Sequence, residues 1–393
     1  MNSFKDKAKY CAGILIKGFW RIAGRFLPPD GRKVIVFDSF AGKQYSCNPR
    51  AVYEALCSRN AGRNDILYVW AFVEPENFAF LKQNKNTIVV KYHSFAHQRY
   101  VYLAAAIVFN WKITYDLPVR KGQMLLQTWH GGGCYKKAGI EITENSSWHA
   151  HIMQKQTNLI THYISSSRYF SERIIRKQQK YRGKILDIGM PRNDMLIHPD
   201  MKKAEEIRKA LHIPQDAFVV LYAPTYRDSI MNQKYAALDY SAVQQAVQQR
   251  FQKKAVLLYR GHHYMKQSAV EESVTDVSGY RDMQDLLLIC DMLISDYSSS
   301  IWDYSYTYRP CFLYTPDLEE YIANRGFDEE IETWGFPVAV SNQKLTEAIV
   351  QFNEQSFKKS MQQHHEKLGS YENGTASQIV CDMIVKKTKE DSI

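Results

Sequence analysis

No C-x-x-C pair occurs among the seven cysteines, Cys11, Cys47, Cys57, Cys134, Cys290, Cys311 and Cys381. An odd and scattered set argues against both a disulfide framework and a zinc site, and it suits a reducing, cytosolic setting. Long apolar runs are missing too. The longest, near Leu103–Phe109, falls far short of the roughly 20 residues that cross a bilayer. There is no internal repeat and no recognisable nucleic-acid module, and the basic residues are spread rather than gathered into a stripe, which removes nucleic acid as a partner. A chain that is 45% hydrophobic and 23% charged is not a disordered one.

What is present is a chain of 393 residues, enough for about two domains. Its formal charge of +10 favours an anionic partner, either an acidic membrane surface or a phosphate-bearing substrate. Residues 1–29 stand apart. At about 100° per residue, Phe4, Ala8, Cys11, Leu15, Phe19, Ile22 and Phe26 share one side of a helix, and Lys9, Lys17, Arg21 and Arg25 the other. Lys17 and the following Gly-Phe-Trp-Arg interrupt any signal-peptide core. An amphipathic helix lying on an anionic leaflet fits this pattern, and a helix packed on the protein's own body is the alternative.

From Lys33 the pattern alternates. Strands are predicted at Val34–Phe37, Ile66–Phe72, Thr87–Val90, Ala105–Phe109, Met124–Thr128 and Lys184–Ile188, with helices at Pro49–Ser58, Pro75–Leu81 and Arg168–Lys177 between them. A second series follows, with strands at Val219–Tyr222, Ala255–Tyr259, Met292–Ser295 and Cys311–Tyr314 and helices at Tyr240–Phe251 and Asp282–Cys290. Helices at Leu345–Phe352, Phe357–Leu368 and Thr375–Lys387 close the chain. Such alternation predicts parallel sheets wrapped by helices, with ligands at the carboxyl ends of the strands.

The strand exits carry the chemistry. The strand ending at Thr128 leads into Trp129-His130-Gly131-Gly132-Gly133 and then Lys136-Lys137. Three glycines allow close approach to a ligand, and a histidine there is placed to exchange a proton near neutral pH. In the second series Arg227, then Arg260 with His262, then Ser298-Ser299-Ser300 follow successive strands. Each has a bland reading, Ser298 as a helix N-cap above all. Together they make a phosphate-compatible rim that capping does not require. His149, His151 and His162 have no third ligand at convincing spacing and read as surface or loop histidines.

In order, WHG, SSSRYF, GMPRND, YAPTYRD, RGHH, DMLISDYSSSIWD, RP-x-x-x-Y, DLEEY and RGF resemble the motifs of the CDP-glycerol glycerophosphotransferases of teichoic acid and capsule synthesis, over about residues 33–355. The ordered set is far more specific than any one motif. The resemblance implies an α/β fold of the GT-B kind: two Rossmann-like domains facing a cleft, here 30–197 on the acceptor side and 198–393 binding the CDP-polyol, behind the helix of 1–29 and with packing of the last helix back on the first domain as an alternative. It implies transfer of a polyol phosphate from CDP-glycerol or CDP-ribitol to a lipid-linked saccharide acceptor at the cytoplasmic face of the membrane, with no tightly bound cofactor or metal.

Carried over by position, His130 matches the family's general base and His262 a second histidine near the donor pyrophosphate. Arg227, Ser298, Ser299 and Asp303 match donor-site positions, and Gly131 and Arg260, read from their places at strand exits, join them as substrate-binding candidates. Two departures stand out: Gly132-Gly133-Cys134 replaces the Thr-Pro that often follows WHG, and the Trp334–Pro337 region lacks the usual Pro-Gly. A nucleotide-sugar glycosyltransferase and an inactive membrane-associated assembly protein are the competing expectations.

Overall fold

The computed structural model describes residues 3–26, 31–114, 116–133, 135, 147–225, 237–261, 273–324 and 326–390. The chain divides into two compact units. The first comprises Met1–His130, Thr143–Arg192 and Tyr371–Ile393, and the second Gly131–Ile142 and Asn193–Ser370.

In the first unit β1 (Lys33–Asp38), β2 (Ile66–Phe72), β3 (Thr87–Lys91), β4 (Ala106–Phe109), β5 (Met124–Gln127), β6 (His162–Ser165) and β7 (Lys184–Asp187) form one parallel sheet, ordered β3-β2-β1-β4-β5-β6-β7. The strands are short runs of β-branched, aromatic and aliphatic residues because both faces are covered. Ile35 and Phe37 point to one core, shared with Tyr53, Leu56, Phe170 and Ile174. Val34 and Val36 point to the other, shared with Val101, Leu103 and Phe109, as the two-residue period of a strand requires. The helix Ala376–Glu390 buries Val380, Cys381 and Ile384 in the first of these cores.

The second unit repeats the plan. β8 (Phe218–Tyr222), β9 (Ala255–Tyr259), β10 (Val274–Asp276), β11 (Met292–Ser295), β12 (Cys311–Tyr314) and β13 (Val338–Ala339) lie in the order β10-β9-β8-β11-β12-β13, all parallel. Several of its helices start on side-chain caps that satisfy otherwise orphaned amides: Asp239 accepts from Ala242 N, Asp282 from Gln284 N and Asn353 from Ser356 N. The α/β reading with two parallel sheets is therefore what is found.

Several local expectations are corrected. The helix expected at Pro75–Leu81 is present as 3₁₀ turns over Pro75–Gln83, kinked at Phe78. The turn from Phe170 to Gln178 winds as a π-helix, with Gln179 N donating to Ile174 O. The helix Phe95–Leu103 and the short β10 and β13 had no expectation. His162 opens β6 rather than lying in a loop.

The N-terminal helix runs from Ser3 to Ala23. It is held down by Trp20, buried beside Tyr102 and Phe95, whose Nε1–H donates to Gln98 Oε1 at 2.8 Å. Leu15, Phe19, Ile22 and Phe26 are all more than half exposed. No described helix is long and apolar enough to cross a membrane.

Candidate functional site

In each sheet the strand order reverses between two neighbours, β1 and β4 in the first unit and β8 and β11 in the second, and the carboxyl ends of such strands are where ligands collect. At the first of these points sit Ser39 and Phe40, which follow β1, and Asn110, which follows β4. His130 leaves the adjacent β5.

His130 is oriented by main chain. Its Nδ1 lies 3.0 Å from the carbonyl oxygen of Asn110, and because a carbonyl only accepts, Nδ1 carries the proton and Nε2 presents its lone pair. No other hydrogen bond to this ring is formed among the described residues. Asn110 is itself fixed: its Oδ1 accepts from Phe40 N at 2.7 Å and its Nδ2 donates to Ser39 Oγ at 3.3 Å. On the other side the Arg192 guanidinium donates to the carbonyl of His130 at 2.9 Å, while Arg192 N donates to Asn48 Oδ1 and Asn48 Nδ2 to the carbonyls of Thr128 and Trp129.

Burial pushes the His130 pKa down to about 4; the Asn110 carbonyl pulls it back up and the Arg192 charge lowers it further. Burial thus favours the neutral imidazole, a proton acceptor, over the expected group poised near neutral pH.

In the second unit the exit loops of neighbouring strands are stitched together. Asp296, just past β11, accepts from Thr225 N at 2.9 and 3.1 Å and from Thr225 Oγ1 at 2.9 Å, and Ser295 Oγ donates to Ala223 O at 2.6 Å. Tyr297 Oη donates to Asp317 Oδ1 beyond β12 at 3.0 Å. Arg260 follows β9, and one of its guanidinium nitrogens, Nη1, is buried without a hydrogen-bond partner among the described residues. Burial lowers its pKa against the opposing pull of Asp282 and Asp285.

The serines behave differently from a simple cap. The helix is Ser300–Ser305, its cap residue Ser299 makes no side-chain cap bond, and it is Ser298 Oγ that accepts from Ser300 N at 3.3 Å. Gly131 lies against Ser299, so two residues singled out from distant stretches are brought together. The glycines approach protein rather than leaving open space. A β-carbon on Gly133 would come within 2.4 Å of Trp302 Cγ, which gives Gly133 a packing reason. Tyr135 then packs edge-on to Trp302 and Asp328 N donates to its carbonyl.

Asp303 is interior, accepting from Gln284 Nε2 at 3.1 Å. Lys136, Lys137, Arg227 and His262 lie outside the described residues. Sequence reasoning missed Asn110, Asn48, Arg192, Thr225 and Asp296. Asn110 had a signal, as a polar residue closing an apolar strand, but the hydrogen bonds that give the others their roles join stretches far apart in the chain. Among the described residues no cluster of three His, Cys, Asp or Glu could hold a metal ion.

A family model described as CDP-glycerol:poly(glycerophosphate) glycerophosphotransferase matches residues 24–386. The chain is 32% identical to a teichoic acid glycerol-phosphate transferase of Staphylococcus aureus, covering 90% of this chain and 93% of that one. It is 30% identical to a teichoic acid poly(glycerol phosphate) polymerase of Bacillus spizizenii, covering 84% and 86%. Among solved structures, the wall teichoic acid polymerase TagF, as a histidine variant soaked with CDPG, superimposes with a TM-score of 0.78 at 27% identity over 98% of each chain. The fold is GT-B-like, with two sheets consistent with two Rossmann-like domains.

Proposed function

This chain belongs to the CDP-glycerol:poly(glycerophosphate) glycerophosphotransferase family, and we propose that it transfers glycerol phosphate, or another polyol phosphate, from a CDP-linked donor to a hydroxyl of a lipid-linked acceptor, releasing CMP. The observation that carries this reading is the fixed tautomer of His130: Nδ1–H is committed to Asn110 O, so Nε2 is the acceptor for a hydroxyl proton. As that proton leaves, the acceptor oxygen bonds to the phosphorus that bears the polyol. The bond from that phosphorus to the bridging oxygen breaks, and CMP departs with the bridging electron pair.

Charge spreads over phosphoryl oxygens during this displacement, and positioned cations and donors stabilise it. In the second unit those groups are Arg260, Ser298 and Ser299, joined by Arg227 and His262 from the sequence pattern, with Asp303 supporting the helix behind them. The first unit thus serves the acceptor and the second the donor. The exposed Leu15, Phe19, Ile22 and Phe26 support a peripheral seat on an anionic leaflet beside a lipid-linked acceptor.

The test is a panel of CDP-glycerol, CDP-ribitol and nucleotide sugars, each incubated with protein and lipid-linked saccharide acceptor, scoring CMP release and product mass. A gain in acceptor mass of one polyol phosphate, with stoichiometric CMP, is expected. Turnover of nucleotide sugars alone would replace this reading with a glycosyl transfer.

A further inference from the structure

Three aromatic side chains surround the His130 ring. Trp129 stacks on it at 4.7 Å between centroids, Trp111 is tilted at 5.1 Å and Phe40 at 5.5 Å. Burying the ring accounts for aromatic neighbours in general, but the proton-accepting role does not call for an indole that keeps much of its own surface open. A base needs a lone pair and an orienting partner, and Asn110 already supplies the second.

This collar is built, and at a conformational cost. Phe40 and Trp129 both adopt left-handed backbone, φ +49° and +54°, a strained region that bulky residues rarely enter. Buried Gln127 clamps both tryptophans with one amide: Nε2 donates to Trp111 O at 2.7 Å and Oε1 accepts from Trp129 N at 2.9 Å. Phe40 N is tied to Asn110, the residue that orients the base. Of the three aromatics Trp111 is the most exposed, with 41% of its surface open. The result is a flat, neutral wall held rigidly at the edge of the proton acceptor.

We propose that this wall is a saccharide subsite, in which the terminal pyranose of the acceptor stacks its C–H face on Trp111 and presents a ring-edge hydroxyl to His130. The proposal rests on His130 being the base. An indole face is electron-rich and attracts the weakly positive C–H bonds of a sugar ring at van der Waals distance. Hydroxyls leave a pyranose near its own plane, so a ring lying on Trp111 aims one sideways at the neighbouring imidazole. A polyol-phosphate chain end has no such face, and its charge gains nothing from a neutral indole. The donor's cytosine could stack on an indole, but this one stands at the proton-accepting end of the reaction and not at the nucleotide end. The subsite therefore selects a sugar-ended acceptor, the kind to which a first unit is added.

The experiment is saturation-transfer NMR on the full chain, irradiating aromatic protons in the presence of methyl pyranosides, glycerol 3-phosphate or CMP, with wild type, Trp111→Ala and Trp111→Phe. Transfer to pyranoside ring C–H protons is expected in wild type and Trp111→Phe and is lost in Trp111→Ala. Glycerol 3-phosphate should give none, and any CMP signal should be indifferent to residue 111. In the transfer assay Trp111→Ala should raise KM for a sugar-ended acceptor about tenfold, and Trp111→Phe should recover most of it. Equal pyranoside signals in wild type and Trp111→Ala, no pyranoside signal at all, or a CMP signal that vanishes in Trp111→Ala would each overturn the subsite. Pyranoside binding that depends on Trp111, in a protein that turns over no CDP-polyol, would retain the subsite and refute the proposed transfer.

Discussion

A β-carbon placed on Gly131 would lie 3.0 Å from both the Cβ and the Oγ of Ser299. That separation is tighter than ordinary contact, so alanine at 131 must push the serine aside. Overpacking of this kind costs about 1–3 kcal/mol. Gly131→Ala should lower Tm by several degrees and reduce kcat/KM for the CDP-linked donor, and Ser299→Gly added to it should recover part of both. A double-mutant cycle on Tm measures the coupling; strictly additive losses would mean that the two residues are not in contact.

Removing the proton acceptor tests the centre of the reading. His130→Ala should lower transfer by about 10²–10⁴-fold with donor affinity nearly unchanged by calorimetric titration. His262→Ala should instead weaken both donor binding and turnover. A His130→Ala enzyme that still transfers would end the assignment.

The donor rim makes a separate prediction. Arg260 carries a buried guanidinium nitrogen with no partner among the described residues, and a charged hydrogen bond to a phosphate is worth about 1.5–3 kcal/mol. Arg260→Gln should therefore raise KM for the CDP-polyol by roughly 10–100-fold. Arg227→Ala and Ser298→Ala should act in the same direction. Circular dichroism matching wild type, combined with unaltered donor kinetics, would remove a residue from the site.

Protonation should also shape stability. Burial pushes His97 and His364 down to about 3 and His365 to about 4, from an ordinary 6.5, so between those values the unfolded chain holds more protons than the folded one. Their contribution is whole above about pH 6.5 and drains away as pH falls toward 4. Asp38 works in the opposite sense. Burial raises it to about 6 from 3.8, so its contribution is present below 3.8 and lost as pH rises through 6. Tm should fall steeply between pH 6.5 and 4.5, and Asp38→Asn should raise Tm at pH 8 but not near pH 4. Melting curves at these pH values decide both; a flat wild-type profile contradicts the first.

The N-terminal helix is testable without disturbing the fold, because its apolar stripe and its docking residue are different side chains. Leu15→Ser, Ile22→Ser and Phe26→Ser together should abolish salt-sensitive sedimentation with anionic liposomes while Tm holds. Deletion of residues 1–29 should do the same to sedimentation. Sedimentation equal to wild type in both would assign the helix to packing alone.

Much of the architecture was legible because burial on both faces leaves a local signature. Val219–Tyr222 and Met292–Ser295 are short apolar runs between polar exits, and they fall on β8 and β11. His130 and the serines were legible from position at strand ends. The environment of His130 was not: its lowered pKa follows first from burial, and its tautomer is fixed by Asn110, 20 residues away. Nor was the use of the glycines: a G-G-G run advertises conformational freedom, and only packing reveals that Ser299 and Trp302 need the space. Trp20 looked like one more residue of an amphipathic helix, and its anchoring role required Gln98, Tyr102 and Phe95 to be in place.

The helix Ala376–Glu390 has a consequence for how the protein is made. It places Val380, Cys381 and Ile384 in the core of the first unit, beside residues synthesised more than 300 positions earlier, such as Val52 and Leu56. While the ribosome is still building the second unit, that core lacks one wall. At about 5–20 residues per second, roughly 10–40 s separate the synthesis of Arg192 from that of Ile384. The usual order, in which the first domain to emerge is the first to finish, is thus reversed here. During that interval the apolar surface that Val380, Cys381 and Ile384 later cover has no partner from the C-terminal helix.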